Sequence, residues 1–290
     1  MSGWESVLTS GIVLGSLYAL MASGLTLVWS TLGIFNFMHG VLMTVGAYLA
    51  WQFAVDRGFG LGLGLGIVLA VVCLVALGCL VEILLIRPFY GRKDLVQVTV
   101  MTTLAGLTFL ENSTLLIWGP RLKQLPPVVE GQFRLLGLTM SNQEALIVLL
   151  SPLILLALWV FLRFTRVGNA IRAVGQNRES AQLMGLNVQA LFMTTFALAT
   201  VLAGLAGVLL GSIRFITPTL GSDPLTKALI VSIFGGLGSV GGSIGAAYVV
   251  GMLEATSVFA FGLYWTPSIL FVVMIVVLIF RPNGLFGRQS

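Results

Sequence analysis

Few side chains in this sequence are suited to acid–base, nucleophilic or metal chemistry, and those few are scattered. His39 is the only histidine. A lone histidine with no Cys or carboxylate at ligand spacing does not build a metal site. Its open roles are a hydrogen bond across a helix break, the lining of a passage, or a proton relay. Cys73 and Cys79 stand six residues apart in one apolar run. That spacing puts them on different faces of a helix, so they read as free, buried thiols rather than a disulfide or metal pair. Glu82, Glu111 and Glu254 lie inside apolar runs, where a carboxylate is costly and faces protein or water. Glu82 and Glu254 fall near run ends and read as interfacial. Glu111, followed by Asn112, is deeper and is the candidate intramembrane acid. Gly60-x-Gly62-x-Gly64-x-Gly66 imitates a phosphate loop, but it opens an apolar helix with no strand before it and reads as packing. No acid, base, nucleophile and metal set converges, so an enzyme is disfavoured and no catalytic residue, metal or cofactor is expected of the chain itself.

The elements that must position these groups are apolar. The AVILMFWYC set makes up 58% of the 290 residues, Gly adds 35 more, and only 9% are charged. A soluble domain carries about 25% charged residues, so most of this surface must face something apolar. The Gly residues sit inside the apolar runs, unlike those of a disordered segment. The formal charge is +5, yet the basic residues fall in short links between runs, where they set membrane orientation and argue against nucleic acid.

A spanning helix needs about 20 apolar residues. In that unit the candidate runs are 7–29, 39–55, 61–86, 96–118, 143–162, 190–213, 225–240, 242–260 and 264–280. The expected fold is an all-α polytopic membrane protein with about eight or nine membrane segments, some of them broken. The start, Met-Ser-Gly-Trp-Glu, lacks the basic opening of a signal peptide, so the first run reads as an uncleaved helix. Three links are basic: Arg87, Arg92 and Lys93 with Asp94; Arg163, Arg166, Arg172 and Arg178 with Glu179; and Arg281 with Arg288. Alternation puts all three on one side, with nine Lys/Arg against two acids. The other side holds Arg57, Arg121, Lys123, Arg134, Arg214 and Lys227 against Glu5, Asp56, Glu130, Glu144 and Asp223. The basic side is expected to be cytoplasmic, which leaves the N-terminus outside and the C-terminus inside. The long outer stretch, about 119–142, could serve as a docking surface. The sizeable cytoplasmic segment is 163–189. No ATP site is evident, so an ion gradient or a partner must supply energy.

Two runs are interrupted alike. Gly33-Ile34-Phe35-Asn36-Phe37-Met38-His39-Gly40 precedes Val45-Gly46-Ala47-Tyr48, and Phe234-Gly235-Gly236-Leu237-Gly238-Ser239-Val240-Gly241-Gly242-Ser243 precedes Ile244-Gly245-Ala246-Ala247-Tyr248. Paired Gly breaks in two halves point to a transport pathway, because freed backbone at membrane depth needs protein or a wet cavity. Close helix packing is the competing reading. The pathway candidates are Gly33, Asn36, His39, Gly40, Gly235, Gly236, Gly238, Gly241 and Gly242. In 169–187, Ile171, Val174 and Ala181 share one helical face, and Gly185 is placed to end the helix, with Asn187 after it. That face has no Trp or Phe to anchor it in headgroups, which favours a protein groove over a lipid surface.

Glu179-Ser180-Ala181 with Gly185 is similar to the Glu-Ala-Ala-x-x-x-Gly coupling loop of ABC importer permeases. Together with the two Gly breaks, Pro218-x-x-Gly221, Lys227-Ala228 and the tail Arg281-Pro282-Asn283-Gly284-Leu285-Phe286-Gly287, the whole chain resembles the branched-chain amino acid permeases of the ribose/branched-chain type. Met38 stands where Ala is expected from that resemblance. The resemblance implies two inverted repeats, with halves 1–142 and 143–290 in a single permease domain. It implies an assembly of cytoplasmic ATP-binding subunits, a second related permease and a periplasmic binding protein, in the bacterial inner membrane. ATP would be bound by the partners, which would act through Arg178, Glu179, Ser180, Ala181, Gly185 and Asn187. The substrate would be leucine, isoleucine or valine; relatives that carry urea, short amides or other amino acids share these features. A gradient-driven carrier that uses Glu111 or His39 is the competing mechanism.

Overall fold

The computed structural model describes residues 3–55, 58–129, 131–135, 138–282 and 284–286. Asp56, Arg57, Glu130 and Arg288 of the charge count, and Asn283 and Gly287 of the tail, lie outside the described residues. Each apolar run folds as a helix, since a chain in hydrocarbon has only its own backbone to satisfy its N–H and C=O groups. The helices are α1 (Gly3–Leu32), α2 (His39–Ala54), α3 (Leu63–Val81), α4 (Leu95–Trp118), α5 (Asn142–Phe164), α6 (Arg166–Gln176), α7 (Arg178–Leu183), α8 (Val188–Gly211), α9 (Ser222–Gly235), α10 (Val240–Phe261) and α11 (Thr266–Phe280). Six are long and apolar enough to cross a membrane: α1, α3 with the turns after it, α4, α5, α8 and α10. The chain is thus a multi-pass membrane protein. At 1.5 Å per residue, the 14-residue α9 reaches only about 21 Å, short of a hydrocarbon core of about 30 Å.

Among the described residues, the one element outside the all-α expectation is a hairpin in the stretch 119–142, of β1 (Gln132–Leu135) and β2 (Leu138–Ser141) with Phe133 opposite Met140. Ser141 closes it and opens α5 through a capping box with Glu144. A bridge between Lys123 and Ile216 holds this stretch against the α8–α9 connection, and Gln143 Nε2 donates to Ser212 Oγ at 2.7 Å.

Helix α1 is the axis of the bundle: every residue from Gly15 to Val28 is buried. Small residues let its neighbours approach. A methyl group on Gly15 would meet Tyr248 Cα at 2.9 Å, and one on Gly251 would meet Gly15 N at 2.5 Å, which fixes the α1–α10 seam. Gly46 and Gly204 form the corresponding seam between α2 and α8. By contrast, α3, α4 and α5 bury narrow stripes and expose Val68, Val72, Phe109, Leu116 and Leu153. Such faces suit lipid or another membrane subunit.

Candidate translocation site

The two breaks are built alike. Helix α1 stops at Leu32, Gly33 turns at φ +71°, and Asn36 Oδ1 accepts the Met38 N–H at 3.0 Å before α2 begins at His39. Helix α9 stops at Gly235, and Ser239 Oγ then accepts the Gly242 N–H at 3.1 Å to start α10. A polar side chain restarts the backbone in both places, as freed N–H groups require.

Both breaks border one cavity of about 1020 Å³. Its walls include Leu27, Ser30 and Gly33 from α1 and its end, Leu155, Trp159 and Arg163 from α5, Ile171, Arg172 and Gly175 from α6, Arg178, and Gly238, Ser239 and Gly241. Gly33, Gly238 and Gly241 therefore meet at this space. Asn36, His39, Gly40, Gly235, Gly236 and Gly242 are buried beside it and do not line it. Gly40 lies on the N-cap of α9: a Cβ there would stand 2.6 Å from Gly221 O, so backbone touches backbone. Gly235 meets Gly242 in the same manner. His39 forms a hydrogen bond through Nε2 to Met21 O at 3.1 Å, across the break, and its Nδ1 has no partner among the described residues. Met38 is buried against Gly106 of α4. The tail returns under the second break: Leu285 donates its N–H to Phe234 O at 2.8 Å, and Phe286 lines the cavity.

The segment 163–189 folds as two short helices rather than one. Asn177 is extended, and its Oδ1 accepts the Ser180 N–H at 2.9 Å, so it caps α7. Gly185, at φ +81°, ends α7: Leu186 N–H reaches Ala181 O and Gly185 N–H reaches Gln182 O. That pair of bonds is a Schellman closure, which requires the left-handed backbone that glycine adopts freely. Asn187 then caps α8 by accepting the Ala190 N–H at 3.1 Å. Ile171, Val174 and Ala181 do share a face, but that face is buried against the chain's own bundle and is not available to a partner's groove. What stands clear is the tip: Glu179, Ser180 and Gln182, with Leu183 and Met184 above 80% exposed. The inner side of the segment presses on α1, for a Cβ on Gly175 would meet Ser30 O at 2.6 Å.

Glu82 and Glu254 are both buried in protein, where acids placed in apolar runs are expected to find partners. Glu82 sits in a π turn (Glu82–Ile86) that brings Arg87, five residues on, to its side chain at 3.0 Å. Tyr90 OH also donates to Glu82 at 2.8 Å. Burial first, and then that bond, push the Tyr90 phenol well above its ordinary pKa, so it remains a donor. Arg178 stacks on the rings of Tyr90 and Phe192, 5.6 and 5.1 Å from their centroids, which ties α7 to this cluster. Glu254 accepts from Tyr18 OH at 2.6 Å and pairs with Lys227 at 2.5 Å. Lys227 is therefore not an outer-link residue: it is buried within α9 and also holds Asp223 at 2.7 Å. Glu111 is only half-buried and accepts from Ser222, an exposed residue, at 2.9 Å. The Asp223–Lys227 spacing of i, i+4 was the available signal for the missed pair.

The family model described as the branched-chain amino acid transport system permease component matches residues 7–278. The chain is similar to the high-affinity branched-chain amino acid transport system permease protein LivH of Escherichia coli (strain K12), at 31% identity over 97% of this chain and 94% of that protein. It is similar to BraD of Pseudomonas aeruginosa, a permease protein described in the same words, at 30% over 98% and 95%. A probable branched-chain amino acid transport permease protein LivH of Methanocaldococcus jannaschii is 28% identical over 98% and 93%. With a central helix flanked by two Gly breaks at one cavity and a family match over nearly its whole length, the chain belongs to the branched-chain amino acid transport permease family.

Proposed function

We propose that this chain is the inner-membrane permease subunit of an ATP-driven importer that passes leucine, isoleucine or valine, and that ATP is hydrolysed by partner subunits and not by this chain. One observation carries the mechanism: α6 and α7 touch the cavity and the end of α1 at the same time, through Gly175 on Ser30 O and through Arg178 at the wall. A push on the exposed tip at the end of α7 therefore reaches the end of α1 through α6 alone. In this reading that tip docks on a cytoplasmic ATP-binding subunit, with Leu183 and Met184 as its apolar anchor and Arg178 as the tie back to the bundle.

The rest of the assembly follows in the same reading. The chain's N-terminus is periplasmic and its C-terminus cytoplasmic, in keeping with the basic links Arg87–Lys93 and Arg163–Arg178. The halves 1–142 and 143–290 are inverted repeats, and the Gly break of each borders the same cavity. The exposed apolar faces of α3, α4 and α5 meet lipid and a second, related permease. A periplasmic binding protein delivers the substrate to the outer side near 119–142. Gly33, Gly238 and Gly241 border the passage, and the neighbouring glycines keep its walls thin.

The test is leucine uptake into proteoliposomes that hold this chain with its ATP-binding subunits, its companion permease and the binding protein. Uptake is expected to need ATP and the binding protein, and Glu179→Ala combined with Gly185→Pro is expected to abolish leucine-stimulated hydrolysis. Uptake by the chain alone on a proton gradient would overturn the ATP-driven reading.

A further inference from the structure

The cluster around Glu82 reaches from the π turn to the wall of the cavity, and the mechanism above uses only its last member, Arg178. The Glu82 carboxylate is fully enclosed and takes three donors: Arg87 Nη2 at 3.0 Å, Arg87 Nε at 3.4 Å and Tyr90 OH at 2.8 Å. Turns of this π type occur inside α-helices mostly at functional sites, and this one lets residue 87 return to residue 82. Arg87 already balances the charge of the acid, so the tyrosine bond is an addition whose effect is to fix a ring. That ring lies edge-on to Phe192 of α8, with centroids 5.1 Å apart and planes at 65°. Arg178, the first residue of α7, rests on both rings, and among the described residues it has no carboxylate partner. A guanidinium without an ion pair takes its position from what it stacks on. Arg178 and Phe192 line the cavity, whereas Tyr90 and Glu82 do not.

Resting on the importer reading, we propose that Glu82 and Tyr90 are positioning residues for coupling. Glu82 fixes the hydroxyl of Tyr90, the ring of Tyr90 fixes Arg178, and Arg178 sets where α7 leaves the bundle and where its own guanidinium stands at the cavity wall. The exposed tip of α7 is thereby joined to the end of α3 as well as to α1, so force applied at the tip is shared between two membrane helices. With the hydroxyl bond gone, the ring turns about its own side-chain bonds and α7 loosens at its root. ATP is then hydrolysed without a matching passage of solute.

The first measurement needs no transport. In a chain that carries Cys73→Ala and Cys79→Ala, a nitroxide on Leu183→Cys, at the exposed end of α7, reports the mobility of that helix in the detergent-solubilised protein. Tyr90→Phe keeps the ring and is expected to narrow the spectrum. Arg178→Ala is expected to do the same, and the two together no more than either alone. An unchanged spectrum in Tyr90→Phe, or narrowing that adds in the double variant, overturns the line of contacts. The second measurement uses the complete assembly in proteoliposomes and reads leucine taken up per ATP hydrolysed. Tyr90→Phe is expected to lower that ratio at least about threefold, and an unchanged ratio overturns the coupling role. Where Tyr90→Phe fails to assemble, two variants of Glu82 decide. Glu82→Gln still accepts from Tyr90 and keeps most of the wild-type ratio, while Glu82→Met loses it; equal losses overturn the proposal. A wild-type assembly with no leucine uptake overturns the importer reading and leaves the spectra to judge the contacts.

Discussion

Glu82 and Glu254 are both buried carboxylates that accept from a tyrosine and face a cation, yet they sit in opposite settings. Around Glu82, Arg87 is 34% exposed and can turn to water, and the cluster continues through Tyr90 to Arg178 and the α6–α7 segment. Around Glu254, Lys227 is enclosed and holds two carboxylates at once, between α1, α9 and α10. The difference teaches that burial of the acid alone does not set its role. The freedom of its cation also matters: Arg87 can reach water, whereas Lys227 is held by Asp223 and Glu254 at once.

The sharpest way to break that contrast is to remove each cation or acid singly. Lys227→Met strands Glu254 and is expected to cost about 3–5 kcal/mol, read as a large fall in the melting temperature of the detergent-solubilised protein. Adding Glu254→Gln should restore most of it; a single variant as stable as wild type would remove the contrast. Glu82→Gln is expected to cost less, about 1–3 kcal/mol, because Arg87 can find solvent. A loss equal to that of Lys227→Met in the same melts would make the two clusters equivalent.

Arg178→Ala sharpens the other side. It removes two ring contacts, expected to be worth about 0.5–2 kcal/mol, but its larger effect should be on leucine-stimulated ATP hydrolysis in the assembly, with Arg178→Lys recovering part of both. Ser222→Ala is the control, since it touches the exposed Glu111 bond. It should shift stability by no more than about 0.5 kcal/mol, and a large drop would mean that Glu111 belongs with the buried pair.

The helix boundaries were legible to within a few residues, because hydropathy and Gly placement are local signals: the expected run 96–118 is α4 at 95–118, and 143–162 is α5 at 142–164. The Gly185 stop was legible for the same reason, as only the end of a helix uses that residue so. Residue partners across helices were not. Glu254 reads as a run-end acid until α10 is laid on α1 and α9, and nothing near it in sequence names Tyr18 or Lys227. The amphipathic pattern of 169–187 correctly marks a buried face, but periodicity does not say whether the burying surface is the chain itself. Asn177 also splits the pattern into two helices, which a continuous periodicity hides.

The enclosure of α1 bears on how the protein is made. Ser16 Oγ donates to Ile12 O within α1 itself, whereas Thr26 of the same helix pairs with Ser243 of α10, more than two hundred residues further along the chain. The Thr26–Ser243 contact can therefore form only once α10 lies beside α1, so the centre of the bundle is completed by a late segment of the chain.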